Sequence, residues 1–306
     1  MKITVTGSLG NISGPLTSEL VKKGHDVTVI SSNGDRKIEI EALGATAAIG
    51  SLEDMEFLAS TFAGSDAVYS MIPPNNYFDH HLDLTDYYER LGNNYAQAIA
   101  RAGAKRLVHL SSIGAHMEKG NGILASTYVV ERILERLTEV EVTFIRPTSF
   151  YYNLLGYIHG IGSEGAISAN YGTENNIPWV APKDIAEAVA EELVQGTGNR
   201  VRYVASEELD GEGTAKILGA AIGMPDLRWR YIDDAVALQN LVDIGMNPSI
   251  AAGLVEMYAA LQSGSLSADY YRNRPERMGK IKMVDYAREF ADIYRKASTG
   301  KGQTEK

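Results

Sequence analysis

A glycine-rich turn between an apolar alternation and a helical pattern constrains this chain more than any other feature. Ile3 and Val5 alternate with polar residues and run into Thr6-Gly7-Ser8-Leu9-Gly10-Asn11-Ile12-Ser13-Gly14, after which a helical pattern opens at Pro15-Leu16. A strand that ends in closely spaced glycines and feeds a helix N-terminus makes a cradle for a nucleotide pyrophosphate. Gly7 can take backbone angles that cost other residues, and Gly10 lets the main chain approach phosphates with no Cβ in the way. The first helical turn adds unpaired N–H groups and the positive end of its dipole. The spacing reads G-x-x-G-x-x-S-G rather than G-x-G-x-x-G. Gly7, Ser8, Leu9, Gly10, Asn11 and Ile12 are the candidate cofactor contacts of this turn.

The same alternation continues through the first half of the chain. Strand patterns fall at 2–6, 26–31, 45–49, 66–72, 106–111 and 141–146, with helical patterns near 14–23, 53–63, 82–102 and 126–138. Gly24, Gly64 and Gly103 mark helix ends. Strands separated by helices in this way predict a doubly wound α/β fold, with helices on both faces of a parallel sheet and right-handed crossovers. After Arg146-Pro147 the pattern changes. Residues 150–180 are rich in Tyr, Asn and Gly and suggest loops and short helices around a pocket. Helical patterns return at 183–195, 213–222, 233–244, 248–262 and 283–297, with short strands at 200–205 and 227–232. The expected organisation is a dinucleotide-binding domain over 1–150, to which 181–205 return, and a smaller, mostly helical C-terminal substrate-binding region formed by 151–180 and 206–297. The polar residues 298–306 are expected to form a disordered tail.

Composition excludes several function classes. The formal charge of −10 argues against nucleic acid, whose binding needs clustered Lys and Arg. The absence of cysteine removes disulfides, Cys-ligated metals and thiol nucleophiles. No apolar run approaches the roughly 20 residues needed to span a membrane, and no basic segment followed by an apolar one opens the chain. A cytoplasmic protein with a small-molecule substrate is expected, and a homodimer is compatible with it. No metal site is expected: His80 and His81 are adjacent, so on a helix they point about 100° apart and suit a surface better than a metal.

The end of the second strand distinguishes NAD from NADP, because an acidic residue there accepts from the ribose 2′-OH whereas a 2′-phosphate wants hydroxyls and a cation. Here the strand ends in Ser31, Ser32 and Asn33, with Arg36 and Lys37 following, although Asp35 sits beside them. NADP(H) is therefore preferred, with NAD(H) as the alternative. Two more strand ends should line the cleft. Ile72 and Pro73 close the fourth strand beside the expected nicotinamide ribose, and Ser111, Ser112 and His116 follow the fifth.

Taken together, these segments resemble a known group. Thr6-Gly7-Ser8-Leu9-Gly10 with Ser13-Gly14 is similar to the T-G-A-T-G-x-x-G loop of atypical short-chain dehydrogenases/reductases. His109 to His116 resembles that group's strand-five motif, and Arg146-Pro147-Thr148-Ser149-Phe150-Tyr151-Tyr152-Asn153 its R-P-x-x-F-x-x-N segment. Ile177 to Val180, through Asp184-Ile185-Ala186, resembles the helix start that follows. The best match is the NmrA-like branch, over about residues 1–295. It implies a Rossmann fold and a nicotinamide cofactor. It does not imply one activity, since the branch holds quinone reductases, other reductases and non-catalytic NADP sensors.

Active short-chain reductases pair a Tyr acid with a Lys four residues later, and a Ser at the end of strand five binds the substrate carbonyl. The matching positions here are Tyr128 and Arg132, with Ser112 or Ser111 supplying the hydroxyl. Arg132 shares a helix face with Tyr128, but its planar guanidinium does not reproduce a lysine's contact with ribose hydroxyls. Glu131 either neutralises Arg132 or holds a substrate group. His116, Phe150, Tyr151 and Asn153 are the candidate substrate contacts. Tyr151, Tyr152, Tyr157 and Tyr171 suit either a flat aromatic substrate or packing within the smaller region. The resemblance therefore implies an NADP(H)-dependent oxidoreductase that reduces a small carbonyl or quinone-type acceptor by hydride transfer. Its rivals are a non-catalytic NADP(H)-binding redox sensor with a protein partner and a sugar-nucleotide epimerase or dehydratase.

Overall fold

The computed structural model describes residues 1–300, and its elements follow the strand–helix alternation of the sequence. The first half runs β1 (Lys2–Val5), α1 (Ser13–Lys22), β2 (Asp26–Ser31), α2 (Arg36–Ala42), β3 (Thr46–Ile49), α3 (Met55–Phe62), β4 (Ala67–Met71), α4 (Leu84–Ala102), β5 (Arg106–Leu110), α5 (Ala125–Leu134) and β6 (Glu141–Pro147). Then come β7 (Ser149–Phe150), α6 (Ile158–Glu164), β8 (Ala166–Ala169), β9 (Ile177–Val180), α7 (Pro182–Gln195), β10 (Val201–Val204) and β11 (Glu207–Leu209). The last elements are α8 (Gly211–Ile222), β12 (Arg228–Tyr231), α9 (Asp234–Asp243), α10 (Pro248–Gln262), α11 (Ala268–Arg272) and α12 (Met283–Gly300). Contacts divide the chain into two units. Of the described residues, the first holds 1–119, 124–147 and 182–204, and the second holds 120–123, 148–181 and 205–300.

The first unit is a seven-stranded sheet in the order β10-β6-β5-β4-β1-β2-β3, with every pairing parallel. This is the doubly wound Rossmann arrangement anticipated from the alternation. A parallel sheet buried on both faces needs continuous apolar strands. β4 meets that demand, with Ala67 to Ser70 all buried. On one face Ile30, Val68, Leu107 and Phe144 of the sheet pack against Leu58 and Phe62 of α3, Leu91 and Tyr95 of α4, and Val130 and Leu134 of α5. On the other side α7 lies against β4, β5 and β6 and also contacts α1. Helix starts are set by short acidic side chains: Asp54 accepts from Phe57 N–H and caps α3, and Asp83 accepts from Asp86 N–H and caps α4. α4 stops at Gly103, whose φ of 70° suits glycine.

Helix α2 was not expected. Of its seven residues only Ile40 is buried, so the apolar repeat that marks a helix in sequence is missing. Among the described residues no helix is long and apolar enough to cross a membrane.

The second unit holds two small sheets, β11-β9-β7 and β12-β8, and helices α6 and α8 to α12. β9 runs antiparallel to β11 and parallel to β7. Residues 150–180 therefore contain strands β8 and β9 as well as the expected short helices. Each strand is four residues long with a partner distant in sequence, so no local repeat announces it. α12 packs on α8 and extends through Gly300, taking in 298–300 of the expected tail, while 301–306 lie outside the described residues.

His109 sits inside the first unit between Tyr95 and Phe144, and its Nδ1 is 2.8 Å from Ser70 Oγ on the neighbouring strand. Burial pushes its pKa down to about 3, so the ring is neutral at ordinary pH. The unfolded chain binds a proton here below about 6.5, whereas the folded chain does so only near the lowered value. This group's contribution to stability is thus complete above pH 6.5 and is lost as the pH falls toward 3. We expect His109→Asn, which keeps a hydrogen-bonding side chain opposite Ser70, to flatten that slope. Urea denaturation at pH 7, 5.5 and 4.5 measures it, and an unchanged slope would exclude His109 as its source.

Candidate cofactor site

The sheet order places β1 beside β4, so the chain leaves β1 toward β2 on one side and returns to β4 on the other. In open α/β sheets this reversal opens a crevice at the carboxyl ends of the strands. The turn after β1 is tied to both neighbours. Thr6 N–H donates to Tyr69 O at 3.1 Å, Met71 N–H donates to Thr6 Oγ1 at 3.1 Å, and Ser8 N–H donates to Ile30 O at 3.0 Å. Ser13 Oγ reaches back from the first turn of α1 to Thr6 O at 2.8 Å.

Little space remains inside this turn. Gly7 has a φ of 86°, and a Cβ there would lie 2.6 Å from Ser13 Oγ. Ser8, at φ 55°, is the single non-glycine residue with positive φ among those described. Cβ atoms at Gly10 and Gly14 would approach Gly7 O and Leu9 O to 3.2 and 3.3 Å. Gly10 and Asn11 form an exposed tip. Ile12, at the N-cap of α1, offers no side-chain cap, and the first turn carries no acidic residue. A helix start with neither a capping oxygen nor a carboxylate favours an anion. The turn therefore fits the pyrophosphate of a dinucleotide.

Past β2 the expected contacts separate. Ser32, Asn33, Arg36 and Lys37 are exposed, whereas Ser31 is buried. Ser31 Oγ accepts from Ser8 Oγ at 3.0 Å and donates to Asn33 O at 3.1 Å, so its hydroxyl ties the glycine turn to the next loop. Arg36 and Lys37 occupy the first turn of α2 and pair with Glu39 and Glu41 at 2.5 and 3.9 Å. Such exposed pairs contribute about 0–1 kcal/mol.

At the ends of β4 and β5 the expected residues are again split. The Ile72 side chain belongs to the core, and Pro73 O accepts from Tyr87 OH at 3.3 Å. Ser111 Oγ donates to Glu131 Oε1 at 2.5 Å. Glu131 is wholly buried and also accepts from Arg146, from Nε at 2.9 Å and from Nη2 at 2.6 Å. Burial alone would lower the Arg146 pKa, but the Glu131 carboxylate overrides it and holds the guanidinium above its ordinary value. Glu131 therefore pairs first with Arg146, at 2.6 Å, and more weakly with Arg132, whose Nη2 lies 3.8 Å from its Oε2. A charge in the mostly apolar run Val142-Thr143-Phe144-Ile145-Arg146 was the available signal, since a buried arginine requires a buried partner.

Arg132 turns toward Glu135, with Nη1 at 2.6 Å from Oε2, and its guanidinium lies 5.3 Å from the centroid of the Tyr128 ring. Tyr128, Ser112 and His116 are half-buried. In the second unit Tyr151 is fully buried, stacked on Tyr286 at 5.3 Å and bonded through OH to Ile281 O, so it belongs to the core rather than to a ligand surface. Tyr171 is likewise buried and stacked on Tyr258 at 4.4 Å. Phe150 and Tyr152 stack at 4.9 Å, and both are half-buried, as is Asn153.

The sequence profile of the NmrA-like family matches residues 1–268. This chain belongs to the NmrA-like family. The NAD(P)H azoreductase of Xenophilus azovorans is 26% identical over 265 residues, 84% of this chain and 86% of its own. An NADPH-dependent quinone oxidoreductase from Escherichia coli, solved with NADPH, shares the fold at a TM-score of 0.79 and 16% identity, covering 94% of this chain and 99% of its own. NmrA, a negative transcriptional regulator solved with NADP, shares it at a TM-score of 0.71 and 16% identity, covering 97% of each chain. The proteins that this chain resembles thus include enzymes and a regulator.

Gly7→Ala and Gly24→Ala separate the role of the turn from backbone strain. Both glycines have positive φ, so each alanine adds about 1–2 kcal/mol of backbone strain, and at Gly7 the contact with Ser13 Oγ adds to it. At Gly24 nothing lies within 4 Å of the added Cβ. We expect both variants to lose thermal stability and Gly7→Ala alone to raise the Kd for NADPH, by about tenfold for each 1.4 kcal/mol of binding free energy lost. Equal Kd values in calorimetric titration would remove the turn from the binding site.

Proposed function

We propose that this chain is an NADP(H)-dependent oxidoreductase that reduces a small carbonyl or quinone-type acceptor by hydride transfer. The observation that carries the reading is the turn after β1, with its positive-φ Gly7, exposed Gly10–Asn11 tip and α1 start free of acidic residues. The absence of a carboxylate at the end of β2, with Ser32, Asn33, Arg36 and Lys37 exposed beyond it, favours a 2′-phosphate. Resemblance to an NAD(P)H azoreductase, and to a quinone oxidoreductase solved with NADPH, supports the same class.

When bound, the reduced dinucleotide supplies the hydride. In this reading the protein binds and orients. Backbone groups of residues 7–12 hold the pyrophosphate, and Ser31 fixes the loop that carries the 2′-phosphate contacts. Residues 72–73 and 112 line the nicotinamide end, with Ser111 buried behind them. Tyr128 holds a proton for a carbonyl acceptor, with Arg132 adding positive charge beside its ring. A quinone takes its proton from water, so orientation against the hydride donor suffices for it.

One observation favours a second reading, an NADP(H)-binding regulator without turnover. Arg132 is committed to Glu135 and the Tyr128 ring, so the ammonium that normally accompanies the Tyr acid has no counterpart. A panel of quinones, enals and ketones with NADPH decides between them. Oxidation of NADPH with at least one acceptor is expected, and none across the panel would leave the regulator.

Arg36→Ala/Lys37→Ala tests the cofactor preference. Losing charge-assisted phosphate contacts should raise the Kd for NADPH about 10- to 100-fold and leave that for NADH within about twofold. Equal changes for both would exclude the 2′-phosphate assignment.

A further inference from the structure

Glu131 lies on α5 and has both carboxylate oxygens engaged, Oε1 by Ser111 Oγ and Arg146 Nε, Oε2 by Arg146 Nη2 and, at the longer distance of 3.8 Å, by Arg132 Nη2. Arg146, on β6, also donates from Nη1 to Tyr203 OH on β10 at 3.3 Å. All four residues are buried. Removing two charges from water costs much of what their attraction returns, and an apolar pair of similar volume often replaces such a bridge without loss of stability. An apolar pair cannot accept the Ser111 hydroxyl. That bond, at 2.5 Å to a carboxylate whose two oxygens a guanidinium also holds, is the distinctive product of the network.

Ser111 is the first residue beyond β5. Its N–H donates to Ile145 O at 2.7 Å, and Ile113 N–H donates to Pro147 O at 2.9 Å. The following turns close through Ala115 N–H to Ser112 O and Met117 N–H to Gly114 O. Ser112 thus stands between two anchored residues. In an extended segment its side chain points opposite to that of Ser111, and it is half-buried while Ser111 is buried.

We infer that Glu131, held by Arg146, is a positioning residue for the nicotinamide half of the dinucleotide. By fixing the Ser111 hydroxyl it sets the loop from which Ser112 meets the cofactor, so Ser111 itself serves the loop and not the ligand. This rests on the reading that NADP(H) binds with its nicotinamide end at the carboxyl ends of β4 and β5.

Two ligands separate positioning from general support: NADPH and 2′-phospho-ADP-ribose, which lacks only the nicotinamide. They are titrated calorimetrically against the wild type, Ser111→Ala and the paired variant Glu131→Leu/Arg146→Met. Wild type is expected to bind NADPH more tightly than the truncated ligand. Both variants should keep the Kd for 2′-phospho-ADP-ribose within about twofold and raise that for NADPH about tenfold, the loss of one charge-assisted constraint. Equal weakening of both ligands, or none for NADPH, overturns the positioning role. So does a wild type that gains nothing from the nicotinamide. If the paired variant fails to fold, Ser111→Ala, which removes one hydroxyl, makes the same distinction. A wild type that binds neither ligand overturns the dinucleotide reading and the inference with it. A wild type that binds NADPH but reduces no acceptor sinks only the reductase, and the ligand comparison still stands.

Discussion

The crowded turn from Thr6 to Ser8 is the constraint on which the carboxyl edge of the first sheet depends. It joins β1 to α1 while bonded to β2 through Ser8 N–H and to β4 through Thr6. Met71, which donates to Thr6 Oγ1, also accepts from Tyr95 OH of α4 at 2.8 Å. A left-handed Ser8 costs about 1–2 kcal/mol. Its bonds to Ile30 and Ser31, each returning about 1 kcal/mol, offset that cost. The strain is therefore held by three strands and a helix, and the exposed Gly10–Asn11 tip projects from a rigid base. Such a base suits a ligand that must be gripped by backbone N–H groups, because the donors are set before it arrives.

Behind that edge the first unit buries polar groups in two different ways. His109 and Ser70 form a neutral pair between strands, and burial keeps the imidazole uncharged. Glu131 and Arg146 form an ionised one, in which each charge is stabilised by the other and by neighbouring hydroxyls. The neutral pair costs little to bury and lies within the sheet. The ionised pair is costlier and sits where three strands end, among residues that fix the loop after β5.

The elements that were legible in the sequence are those whose burial follows a local period. Strands β1, β2, β4, β5 and β6 and helices α1, α3, α4 and α5 all present a regular apolar face, so the parallel sheet and its winding could be read directly. Helix α2 could not, because one buried residue in seven leaves no period. Its presence changes the meaning of Arg36 and Lys37, which belong to a helix with carboxylates three and four residues on rather than to an open loop. Strands β8, β9 and β11 were hidden for another reason: their register is fixed by partners about 30 to 60 residues away. The glycine turn was legible because its backbone demands are local. Ser31, Ser111 and Tyr151 were recognisable as residues near strand ends, but their burial and bonding depend on tertiary neighbours. Nothing adjacent to Glu131 in sequence points to Arg146, 15 residues on.

The environment of Tyr128 bears on which acceptors such a site could serve. An acid that must protonate a carbonyl as hydride arrives works best when a nearby cation lowers its pKa and also holds the ribose. Arg132 offers charge over the face of the ring, at 5.3 Å from its centroid, while its nitrogens are spent on Glu135. That geometry stabilises the ring's position more than it supports proton transfer from the hydroxyl. A ketone, whose alkoxide product is strongly basic, would bear the full cost of this shortfall. A quinone would not, since its reduced form gains aromaticity and a phenolate is far less basic than an alkoxide. In the proposed reductase, with the turn holding the pyrophosphate and Tyr128 as a poorly supported acid, acceptors limited by orientation rather than by protonation would be favoured.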